Sequence, residues 1–74
     1  MDIDIRKAVI ANMKNNDSEQ LEQTILEAID KHEEKTLPGL GVLFELIWES
    51  SETQQKEDMI QALEEGIHTD SMSN

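Results

Sequence analysis

Cysteine is absent from this 74-residue chain. Disulfides and thiolate metal sites are thereby excluded, and a reducing, intracellular setting is the natural expectation. Basic residues are scarce, 6 against 17 acidic ones, for a formal net charge of −11. A nucleic-acid binder neutralises phosphates with Lys and Arg, so this balance weighs against nucleic acid as a partner. It weighs equally against an anionic membrane surface. Aromatics are reduced to Phe44 and Trp48, too few for a base-stacking platform. No apolar run approaches the ~20 residues that a membrane span requires. The opening MDIDIRKAVIA places acids before its basic residues and has no unbroken apolar stretch, so no secretory signal is expected there.

What the chain does have is periodicity. Hydrophobic residues make up 36% of it, and they recur at helical spacing, which separates this acidic sequence from a disordered one. Ile5, Val9 and Met13 repeat every four residues, with Ala8 beside them and Ile10 off the stripe. Asp2 or Asp4 can cap this first helix, and Asn15-Asn16-Asp17 ends it. Asp17 followed by Gln20 has the spacing of a capping box for a second helix. Leu21, Ile25, Ala28 and Ile29 supply the stripe of that helix, which fades near His32. The polar stretch KHEEKT, residues 31–36, reads as a loop.

Pro38 suits the first turn of a third helix, where its missing N–H costs nothing. Leu40, Leu43, Phe44 and Ile47 take one side of it, with Trp48 a turn beyond Phe44. Val42 and Leu46 take roughly the opposite side. A helix apolar nearly all round belongs in the middle of a fold. Ser51 with Gln54 repeats the capping-box spacing, so a fourth helix is expected to start near Glu52. Its stripe is Met59, Ala62 or Leu63, and Ile67, with Ile60 at the edge and Gly66 as a C-terminal stop. The expected architecture is all-α: one small bundle of four short helices around a central apolar third helix, residues 1–67, with a disordered tail at 68–74.

Charge is distributed unevenly. Residues 1–16 hold Arg6, Lys7 and Lys14 against Asp2 and Asp4, a balance of +1, which leaves −12 for the rest. The first helix is thus suited to dock on the remainder of the chain, or on the acidic part of a second copy. Self-repulsion among the acids should make stability sensitive to salt.

The motifs that could carry chemistry fail on spacing. Pro-Gly-Leu-Gly-Val at 38–42 has Phe44 where a dinucleotide fingerprint needs its third glycine, and no Lys-Ser/Thr pair follows as a phosphate loop demands. His32 and His68 stand in no zinc-binding pattern. The calcium-loop pattern DxDxDG is absent, and the serines cluster at helix caps and in the tail. No catalytic, cofactor-binding or metal-binding residue is expected, and the chain reads as a non-enzyme. Three short neighbours cannot obviously cover every apolar side chain of the third helix. Val42, Leu46 and Trp48 are therefore the candidate interaction surface, for a homodimer or a contact with an unknown protein partner.

Three stretches carry a resemblance: RKAVIANM (Arg6–Met13), QLEQTILEAI (Gln20–Ile29) and EEKTLPGLGVLFELIW (Glu33–Trp48). Together they resemble the small acid-soluble spore protein I family of endospore-forming bacteria, over about residues 3–67. The last stretch is the most specific. The resemblance implies a protein made in the forespore and kept in the spore core. It implies no catalytic or ligand residues. The best-known small acid-soluble spore proteins form a different family that coats DNA, and the germination-protease site of that family, roughly Thr-Glu-Ile/Phe-Ala, is missing here. The expected role is a non-catalytic structural or protein-interaction module that does not act through DNA. The alternative is an acidic regulatory module that binds and blocks a basic protein during sporulation.

Overall fold

The computed structural model describes residues 4–73, with side chains as far as Thr69. Four α-helices follow one another: α1 Ile5–Met13, α2 Ser18–Lys31, α3 Leu37–Ser50 and α4 Thr53–Ser73. Among the described residues there is no strand. The expected class, an all-α assembly of four helices, is what forms.

Local sequence sets the boundaries. The Asp4 carboxylate accepts the Lys7 N–H at 3.0 Å and starts α1; Asp2 lies outside the described residues. Asp17 and Gln20 form the full capping box of α2, with reciprocal bonds of 2.9 and 3.0 Å. His32 ends α2 in the left-handed region, φ 53°, donating its N–H to the Ile29 carbonyl.

Three boundaries differ from the sequence expectation. The loop at 31–36 is mostly helical: α2 keeps Lys31, and a single 3-10 turn at Glu34–Thr36 runs straight into α3. Thr36 holds that turn by donating its hydroxyl to the Glu33 carbonyl at 2.8 Å. At the next junction Ser51 closes α3, its Oγ donating to the Ile47 carbonyl at 2.6 Å and its N–H to Trp48. The bracing of α4 therefore sits one residue later than Ser51 and Gln54, with the Gln55 side chain accepting the Glu52 N–H at 2.8 Å. The third difference is at Gly66. No glycine has positive φ, so Gly66 stays helical and α4 runs on through Ser73. A helical glycine costs only about 1 kcal/mol, too little to stop a helix whose other residues favour it. Residues 68–73 are thus helix rather than a tail, and Asn74 lies outside the described residues.

Packing centres on α3, with α1 alongside it. The Leu21 and Ile25 face of α2 meets Ile10 and Met13 of α1 and Leu43, Leu46 and Ile47 of α3 around an apolar groove of about 350 Å³. Ile10, off the expected stripe, is one of its walls. α4 meets α3 through Trp48 and Lys56 and then extends along Ile60 and Leu63.

The third helix is central but not enclosed. Among the described residues Val42 alone is buried, at 7% exposure. The accessible surface is 6539 Å², against about 4,600 Å² for a compact monomer of this mass. The radius of gyration is 14.0 Å, against about 11 Å for a compact chain of this length.

Candidate interaction surface

Two residues on successive turns of α3 begin the surface. The Phe44 and Trp48 ring centroids lie 6.0 Å apart at a tilt of 37°, within the range where aromatic pairs attract. The Lys56 ammonium, from the first turns of α4, sits 5.4 Å from the Trp48 ring centroid, a cation–π contact that ties the two helices. Phe44, Trp48, Ile60 and Leu63 line one concavity together with Arg6, Glu45 and Glu49. Ile60 and Leu63 also line the next one, with Ile67, Glu64, Glu65 and His68. The two merge into one apolar strip across α3 and α4, bordered by acids. Exposure along it is 46% at Phe44, 50% at Ile60, 54% at Leu63 and 60% at Ile67.

The three residues singled out from the sequence do not form one patch. Val42 is the buried centre of the fold, which removes it from any surface of the single chain. Leu46, 37% exposed, belongs to the groove between α1, α2 and α3. Trp48, half-buried, belongs to the α3/α4 strip. A charged contact lies on the α1 side of α3. Arg6 of α1 donates to both oxygens of Glu45 of α3, at 2.7 and 2.8 Å. Glu45 and its neighbour Leu46 both lie on the side of α3 that meets α1, Glu45 through this pair and Leu46 through the groove. Phe44 and Ile47 are exposed. The bidentate bond from Arg6 holds the Glu45 carboxyl below its ordinary range and raises the Arg6 guanidinium further. Both groups are solvent-exposed.

Ile60, Leu63 and Ile67 are the surface residues that sequence reasoning missed. Their helical spacing is visible, with Leu63 and Ile67 on the expected stripe and Ile60 at its edge, but the same spacing equally describes a core-facing stripe. Among the described residues, no group of three or more His, Asp or Glu side chains is placed to hold a metal. No described helix is long and apolar enough to cross a membrane.

The family model of small, acid-soluble spore protein I matches residues 3–67. The chain belongs to this family. It is 58% identical over 67 residues to small, acid-soluble spore protein I of Geobacillus sp. (strain WCH70), covering 90% of this chain and 94% of that one. The protein of the same name from Bacillus subtilis (strain 168) is 54% identical with the same coverage. That of Bacillus licheniformis is 52% identical over 90% of this chain and 96% of its own. No solved structure matches. A spore protein of the small, acid-soluble type is therefore what carries the strip across α3 and α4, and the family is not one of known enzymes.

Proposed function

We propose that this spore protein is made in the forespore, resides in the spore core, and acts as a non-catalytic structural or protein-interaction module rather than through DNA. The observation that carries this reading is the apolar strip of Phe44, Trp48, Ile60, Leu63 and Ile67 on a chain of net charge −11. Apolar side chains exposed in a continuous row serve contact with other apolar surface. Acids on both sides of the row, Glu49 and Glu64 among them, repel a phosphate backbone.

The test is capture from forespore lysate on the immobilised full chain, beside a DNA mobility-shift assay at physiological salt. The expected results are a retained protein that Trp48→Asp releases, and no shifted DNA. Retention unaffected by Trp48→Asp contradicts the placement of the contact, and a DNA shift contradicts the separation from nucleic acid.

The same acidic borders favour one second reading, an acidic module that binds and blocks a basic protein. Capture on that basis weakens steeply with salt and survives Trp48→Asp.

A further inference from the structure

We propose that the α3/α4 strip is covered by the same strip of a second copy of this chain, in an antiparallel two-fold pairing. This rests on the reading of the chain as an interaction module and names its partner.

Area is the first argument. The lone chain exposes about 1,900 Å² more than a compact monomer of its mass. A standard interface covers about 800 Å² on each partner, so one self-complementary contact fits within that excess. The second argument is the exposure of the α4 row itself. Exposure of the α4 row climbs from 50% at Ile60 to 60% at Ile67 as the helix leaves the body, as expected of a helix that lacks a neighbour along its apolar face. Among the described residues, the concavity along that row is lined by α4 alone.

Charge completes the case. A cation, Lys56, stands beside Trp48 at the α3 end of the row. Two acids, Glu64 and Glu65, line its far end. Antiparallel pairing about a two-fold axis at Ile60 sets Lys56 of each copy opposite Glu64 of the other. The contact is then isologous, and its complementary charges are Lys56 and Glu64, with Glu49 and Glu57 standing beside Lys56. At longer range the net charge of −11 on each copy opposes approach, and salt screens that repulsion.

Sedimentation equilibrium of the full chain, from about 10 μM to about 1 mM, tests the pairing by mass action. The expected species at the upper end has twice the 8.4 kDa chain mass, and it persists or tightens as salt is raised. Leu63→Glu is expected to weaken the dissociation constant by roughly tenfold or more while circular dichroism stays helical, since that side chain is already half-exposed in the chain. Ile67→Glu, further from the body, gives the same result should Leu63→Glu unfold. Dimers indifferent to both changes overturn the proposal. A wild type that stays monomeric overturns it as well. If that monomer still captures a forespore protein through Trp48, the interaction-module reading stands; if it captures nothing, both fall. A dimer that salt dissolves contradicts the apolar contact as its basis.

Discussion

The Arg6 guanidinium forks onto the Glu45 carboxylate, Nε to Oε1 at 2.7 Å and Nη2 to Oε2 at 2.8 Å, and so joins α1 to α3 through residues 39 apart in sequence. No other charged side-chain contact described here spans such a separation. It lies on the side of α3 that α1 covers, beside the groove where Ile10 and Met13 meet Leu43, Leu46 and Ile47. As an exposed pair it adds to that apolar contact rather than replacing it. With the carboxyl of Glu45 held below its ordinary range in the fold, the pair contributes stability that is present above the unfolded carboxylate pKa. That contribution disappears as pH falls through the lowered folded value. Arg6, raised further, stays charged throughout and adds no pH dependence. The prediction is that Glu45→Gln melts below wild type near neutrality and that the gap closes under acid. Glu49→Gln, which removes the same charge from the next turn, is the control. A gap that persists unchanged at acid pH contradicts the role given to the pair.

Val42 offers the sharpest packing test. Its two methyl groups fill the one buried position described. Val42→Ala is expected to cost about 2 kcal/mol, or roughly 8–16 °C in Tm for a domain of this size. An effect within about 0.5 kcal/mol is what a surface position gives, and it would place the core elsewhere.

Gly66 separates a helix from a stop. Its backbone is helical, and a Cβ built there meets nothing within 4 Å. Gly66→Ala is therefore expected to stabilise the chain by about 0.5–1 kcal/mol and to raise its helical signal. Were Gly66 a left-handed terminator, the same change would destabilise. Thermal melts followed by circular dichroism distinguish the two.

Salt should raise Tm. Seventeen acids against six basic residues repel one another in the folded chain, and screening relieves that repulsion. Melting over a series of sodium chloride concentrations tests this, and a flat or falling response contradicts it.

Much of this fold is legible in the sequence because short-range chemistry fixes it. The Asp17–Gln20 box, the Asp4 cap and the proline in the first turn of α3 are each decided within four residues. The orientation of α3 is not legible in that way. Its apolar residues ring the helix, so periodicity alone cannot say which side a neighbour will cover. The choice falls to contacts made between residues far apart in the chain, Ile10, Met13, Leu21 and Ile25 against Leu43, Leu46 and Ile47, with Arg6 and Glu45 beside them. For that reason Val42 became core, and Phe44 and Ile47 were left in solvent. Ile60, Leu63 and Ile67 pose a related problem. A stripe at helical spacing says that a helix has an apolar face. Whether its own chain covers that face depends on where the helix points, and α4 runs outward past Gly66 instead of ending there.

The claim at the centre of this account is that the single chain leaves its apolar face uncovered and that a second copy completes it. Thermal unfolding measured at increasing protein concentration bears on it most directly. If folding and pairing are coupled, Tm rises by roughly 10 °C over a hundredfold increase in concentration, and Leu63→Glu flattens the rise. A Tm independent of concentration in the wild type would contradict the claim.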